Sequence, residues 1–302
     1  MRYFLFKFFR IGVISLILFI TTLIVISELL KYRIDPFYNK LTSTTNIGLI
    51  LGDSRALQGI DPDHLSFPVV NFAFTIGHSP YDKSYIRLIK KKLNKYPKKN
   101  NTHIVCISPW SLLSNNTNNL DINPYFSEHL SLPLTSPNFE YLFKYVDFNF
   151  TKLNQLLASK QISKSNGYLM VQMDTIEWQQ EYKRRVKEKI ENYTEKYPVE
   201  ELTLKSPRIF NLLEIINLLQ LSGDVFIVRL PVSKEMLSFE NIRFPNLNEL
   251  MSHLSQKSNA PYLDLTDLKI RTTDGNHIFY LDVPFVSKTL DKRVNECDQR
   301  SK

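Results

Sequence analysis

Apolar residues recur along this chain in three rhythms, and each predicts a different kind of element. The first is an unbroken block. From Ile11 to Leu30 the chain is interrupted only by Gly12, Ser15, Thr21, Thr22, Ser27 and Glu28. As a helix such a block rises about 30 Å, the thickness of a bilayer core. Arg2, Lys7 and Arg10 precede it, and Lys31 and Arg33 follow. A cleaved leader has a shorter apolar core, of ~7–15 residues, ending at a small-residue cleavage site. The exit here, Ser27-Glu28-Leu29-Leu30-Lys31, offers none. Residues 1–33 are therefore expected to be a cytoplasmic stub and a single-pass signal anchor, with the N-terminus cytoplasmic and the rest extracytoplasmic. Residues 34–46 read as a linker.

The second rhythm is a series of short apolar runs cut off by turn residues. Ile47–Leu51 breaks at Gly52-Asp53-Ser54, and His103–Ile107 is closed by Pro109. Val69–Phe74, Val225–Leu230 and Tyr262–Leu265 are of the same kind. Runs of this length, apolar on both faces, predict buried parallel strands. The third rhythm is helical. Tyr85, Leu88, Ile89 and Leu93 share a face, as do Ile209, Leu212, Leu213, Ile216 and Leu219. The latter helix has Ser206-Pro207 at its start and Gly223 as its stop. Further helices are expected near 246–257 and 280–294. Strand alternating with helix predicts an α/β domain over 47–295, a five-stranded parallel sheet with helices on both faces. In such sheets ligands bind beyond the carboxyl ends of the strands.

One stretch, about 113–205, departs from this alternation. It opens in an Asn-rich loop, and helices are expected near 138–160 and 175–196. The second is highly charged, with i,i+4 pairs such as Glu181–Arg185. This stretch reads as an insertion or cap, and residues 296–302 as a tail.

Composition changes the picture little. At 43% hydrophobic and 12% aromatic residues the chain is that of a folded protein. The net charge of +8 is spread out, and its dense runs, Lys90–Lys92 and Lys98–Lys99, flank a helix end, where cations suit the dipole. No basic stripe interleaved with aromatics is present, so no nucleic-acid partner is expected. Cys106, inside an apolar run, reads as a small buried hydrophobe. His64, His78, His103, His129 and His253 are scattered without metal-ligand spacing, and no Cys-x-x-Cys, P-loop or G-x-G-x-x-G occurs. Neither a metal nor a cofactor is implied. Trp110 and Trp178 suit core packing better than stacking on sugars.

Two motifs carry chemistry. Gly52-Asp53-Ser54-Arg55 follows the first strand, which places a serine hydroxyl beside unpaired N–H groups at a helix start. That suits a nucleophile whose attack creates an oxyanion. Taken alone, a serine in this place is more often a helix N-cap. Asp274-Gly275-Asn276-His277 holds an acid and a base three residues apart, so both can project from one loop. His277 could take the Ser54 proton while Asp274 orients the ring. By itself this loop reads more readily as a Gly-containing turn in which Asp274 caps the next helix and His277 is merely packed.

Together, at the two ends of one sheet domain, these motifs give the chain from roughly 47 to 290 a pattern that resembles the SGNH/GDSL hydrolase family. The resemblance implies a flavodoxin-like three-layer sandwich with Ser54 as nucleophile and Asp274 and His277 as its partners. It also implies an oxyanion hole from the Ser54 N–H and from Gly77 in Asn71–Ser79. The family's third block, a G-x-N-D asparagine after the third strand, is replaced by Ile107-Ser108-Pro109-Trp110-Ser111; Asn115 and Asn116 lie further on. Leu51–Arg55 followed by Gly59-Ile60-Asp61-Pro62 is similar to membrane-anchored members associated with bacterial cell-surface polymers. The implied function is an extracytoplasmic serine esterase or O-acyltransferase acting on acyl esters of a cell-surface glycan or related polymer. A membrane protein that delivers the acyl donor is a partner in the transferase case. The alternative is a catalytically weak or inactive scaffold of an envelope polysaccharide assembly. The third-block departure favours it, and retention of Ser54, Asp274 and His277 opposes it.

Overall fold

A computed structural model describes residues 2–29, 37–43, 47–75, 81–94, 100–113, 124–135, 137–145, 160–197, 202–204 and 206–300. The apolar block forms α1 (Arg2–Leu29). Its Tyr3–Ile26 stretch is long and apolar enough to cross a membrane, and almost none of it is buried against the protein.

Eight residues separate α1 from α2 (Tyr38–Thr42), a short helix that buries Tyr38, Lys40, Leu41 and Thr42. The described part of the expected linker is thus packed into the domain. Tyr38 stacks edge-on against Tyr141 and its hydroxyl accepts the Asn138 N–H at 2.9 Å.

The domain is built on β1 (Gly48–Leu51), β2 (Val69–Asn71) and β3 (Asn101–Ile107), with α3 (Ser54–Gly59) and α4 (Lys83–Asn94) between them. After β3 come α5 (Pro109–Leu112), α6 (Pro124–His129) and α7 (Phe139–Tyr145). A two-stranded antiparallel hairpin, β4 (Gln161–Ser163) and β5 (Leu169–Val171), leads to the long α8 (Thr175–Lys196). Then follow α9 (Pro207–Gln220), β6 (Gly223–Arg229), α10 (Lys234–Arg243), α11 (Leu247–Ser258), β7 (Tyr262–Asp264) and α12 (Val283–Arg300). Five strands form one all-parallel sheet in the order β2-β1-β3-β6-β7.

Alternation along the strands splits the core into two layers, because successive side chains point to opposite faces. Leu49, Leu51, Val105, Ile107, Val225 and Ile227 face α4, α9 and α11. Ile50, Ile104, Cys106, Phe226 and Val228 face α3 and α12. The result is helix, sheet, helix, as the apolar runs predict. Chain order reverses at β1: β2 lies on one side and β3 on the other. The crevice beyond the carboxyl ends of β1 and β3 is the switch point at which such sheets bind ligands.

The insertion also closes a sheet edge. The Asn71 N–H of β2 donates to Asn166 O at 2.8 Å, and the Asn166 amide is held by Asp61 and Asp63. Gly167, at φ +85°, leaves an ideal Cβ only 2.1 Å from Asn71 O, so no larger residue fits there.

Candidate active site

β1 ends in a turn that only glycine makes without strain. Gly52 has φ +147°, and a Cβ there would meet the Ala56 Cβ at 2.8 Å and Cys106 at 3.0 Å. The next residue, Asp53, is the N-cap of α3 and accepts the Arg55 N–H at 2.9 Å. Its other oxygen accepts from the Ser108 hydroxyl, which ties the end of β1 to the end of β3. Ser54 is therefore the first residue of α3. Its N–H has no partner within the helix and lies at the positive end of the dipole.

The loop after β7 brings the second motif to the same crevice. An isolated bridge between Thr272 and Ile278 closes a tight antiparallel turn around 272–278. Gly275, at φ +82°, passes the chain through the apex. Asp274 Oδ1 accepts the backbone N–H groups of Asn276 at 3.0 Å and His277 at 2.9 Å. Both carboxylate oxygens face His277 Nδ1, at 3.1 and 3.0 Å, and His277 Nε2 lies 2.9 Å from Ser54 Oγ. Ser54, Asp274 and His277 thus meet in one chain of hydrogen bonds. The carboxylate fixes the tautomer: Nδ1 carries the hydrogen, so Nε2 is bare and accepts from the serine hydroxyl.

Two further features of this site are not visible in the motifs. Lys189, from α8, reaches Asp274 Oδ2 at 3.0 Å. Burial alone would raise the Asp274 carboxyl, but His277 and Lys189 outweigh it and hold the group well below the usual carboxylate range. α8 is anchored over the loop by the Trp178 indole, which donates to Thr272 O at 2.7 Å. The insertion therefore supplies a cation to the acid of the site.

Beneath Ser54 lies a buried charge network. Arg55 is 3% exposed and donates from Nε and Nη2 to Asn276 Oδ1 at 2.8 and 2.6 Å. Nη2 also pairs with Glu240 of α10, which is wholly buried. The other Glu240 oxygen takes Arg229 Nη2 at 3.1 Å, and Oε1 takes the Trp110 indole N–H at 2.9 Å. Burial would depress the Arg55 guanidinium, but Glu240 and Asp53 more than offset it, so it stays charged. Trp110 is packed among Tyr193, Tyr197, Phe239 and Phe244 and offers no face to a ligand.

Of the remaining expected site residues, Gly77, His78, Asn115 and Asn116 lie outside the described residues. At the third-block position Ser108 caps α5 and holds Asp53, while Pro109 starts that helix. Among the described residues no group of three or more His, Cys, Asp or Glu stands close enough to hold a metal. A cavity of about 800 Å³, lined by Gln220, Gly223, Asp224 and Ser258, opens at the amino end of β6, the opposite end of the sheet from Ser54. Compared with protein-family models, curated proteins and solved structures, the chain matches none.

Proposed function

We propose that this protein is a membrane-anchored serine esterase or O-acyltransferase of the SGNH/GDSL type. One observation carries the reading: Ser54 Oγ, His277 and Asp274 lie in hydrogen-bonded sequence at the switch point of a parallel sheet. In the reaction, Ser54 Oγ attacks the carbonyl carbon of an acyl ester while its proton passes to His277 Nε2. Asp274 stabilises the imidazolium. The Ser54 N–H faces the developing oxyanion, and Gly77 is the proposed second donor. The intermediate expels the alcohol, which takes the proton from Nε2 and leaves an acyl group on Ser54. Water or a sugar hydroxyl then attacks that acyl group, gives its proton to His277, and frees the serine.

The apolar α1 and the basic residues before it support a single-pass anchor with the N-terminus cytoplasmic and the domain outside. That location favours an acylated cell-surface glycan or related polymer as substrate, with a membrane protein as acyl donor in the transferase case. A second reading, an inactive scaffold of an envelope assembly, is favoured by Ser108, which occupies the third-block position and spends its hydroxyl on Asp53.

The test is labelling of the full-length protein in detergent by a fluorophosphonate. Labelling is expected on the wild type and absent from Ser54→Ala and His277→Ala at unchanged thermal stability. Labelling that persists in Ser54→Ala overturns the mechanism, and an inert wild type moves the weight to the scaffold.

A further inference from the structure

Asn276 sits between the buried network and the base, and its amide has only one orientation open to it. A guanidinium has donors and no acceptor. The atom that faces Arg55 Nε and Nη2 must therefore be the amide oxygen. Nδ2 is left pointing the other way, 3.3 Å from His277 Nε2. That nitrogen is bare, because Nδ1 carries the ring hydrogen toward Asp274. Asn276 is 1% exposed, so no water competes for its place. An N–H thus faces the lone pair of the base, alongside the closer Ser54 hydroxyl at 2.9 Å.

We infer that Asn276, locked in orientation by Arg55, is a positioning residue that keeps His277 in its proton-accepting form and speeds the return of its proton to the leaving oxygen. This rests on the serine-hydrolase reading above. While Nε2 is bare, the amide N–H is attracted to it. Once Nε2 has taken the Ser54 proton, two N–H groups oppose each other, and release of the proton relieves the conflict. In the acyl-enzyme Ser54 has no hydrogen left to give. The Asn276 amide is then the donor that still faces Nε2 and holds the ring ready for the incoming hydroxyl. The charged groups around the base are Asp274 with Lys189 behind it and Arg55 with Asp53 and Glu240, and the titratable Tyr193 of α8 is kept neutral by burial. None of these groups is itself altered by a change at Asn276.

Asn276→Asp separates this role from a merely structural one. The carboxylate keeps an oxygen on Arg55, whose Nη1 is buried without a hydrogen-bond partner and so has capacity for more negative charge. Only the group facing His277 is inverted, from donor to acceptor. The measurement is the fluorophosphonate labelling rate of the full-length protein in detergent from pH 5 to 9, with thermal unfolding as a check on folding. The expected result is a rate at least about tenfold lower near neutral pH. The acid limb should move up by about one pH unit, because a carboxylate beside Nε2 favours the imidazolium. A wild-type rate and profile in a folded Asn276→Asp protein overturns the inference. If that variant does not fold, Arg55→Lys decides: it keeps the charge on Glu240 but loses the two-pronged grip. Its labelling is expected to fall several-fold, and an unchanged rate overturns the proposal. A wild type that never labels instead overturns the hydrolase reading on which the inference rests.

Discussion

Gly52 shows how much of the site depends on a single backbone position. Its φ of +147° and the 2.8 Å approach to the Ala56 Cβ leave no space for a side chain. Gly52→Ala is expected to cost about 1–3 kcal/mol through crowding and backbone strain, as a shift in the denaturant midpoint with little change in slope. The residues around it differ in how readable they are. Ser54, Asp274 and His277 stand in compact motifs at strand ends, so their convergence follows from the rule that a parallel sheet gathers its loops at one edge. Arg55 is visible in the same motif as a charge, but its burial is not, since arginine in a loop after a strand is ordinarily solvated. Lys189 carries no local signal. It lies in a run of alternating charges on α8, and only the docking of that helix over Thr272 brings it to Asp274.

Among the elements, the five sheet strands and the helices α4, α9 and α11 fall where their apolar spacing predicts. Of the helix expected near 138–160 only Phe139–Tyr145 is seen, residues 146–159 lying outside the described residues, and α12 runs on to Arg300 through most of the expected tail. α10 is absent from that pattern for a physical reason. Its buried side chains are Met236 and Glu240, so its inner face is marked by a carboxylate instead of an apolar stripe. The small β4–β5 hairpin is missed because β4, Gln161-Ile162-Ser163, holds a single apolar residue and so forms no apolar run. In α8 the pairing differs from expectation: Glu181 meets Arg184, which also reaches Glu188, while Arg185 reaches back to Glu177. Gly223 opens β6 instead of stopping α9, which ends at Gln220. The buried carboxylate gives α10 its importance. Glu240 is the shared partner of Arg55 and Arg229, and Glu240→Gln leaves two enclosed guanidinium groups without it. The expected loss is about 3 kcal/mol, read by thermal or chemical unfolding, since removing one member of a buried ion pair strands the other. A surface change on the same helix, such as Lys234→Gln, is expected to stay within about 0.5 kcal/mol.

For the molecule as a whole, the most consequential feature is that α2 is part of the core. Lys40 donates to Asn71 O and Ala73 O at 2.6 and 2.7 Å, across the end of β2. Nearby, Lys92 of α4 donates to Ser43 O, just past α2. Burial, with Lys91 adding to it, pushes the Lys92 ammonium down to about 7. The unfolded chain keeps an ordinary lysine value near ~10.4, so between these values it binds more protons than the folded state. Stability is therefore expected to rise as pH climbs from about 7 toward ~10, and Lys92→Met should flatten that rise in thermal unfolding of the full-length protein. An equal slope in both proteins would show that Lys92 stays charged when folded. The packing of α2 also sets a reach. Between Leu29, the end of α1, and Phe37 there are eight Cα-to-Cα steps, which extend to at most about 28 Å. With α1 in a bilayer, the domain hangs on a short leash and stays close to the lipid. On the proposed function, chemistry at Ser54 is confined to a thin layer above the lipid, and a long polymer is modified near the surface from which it emerges, before it moves out of range.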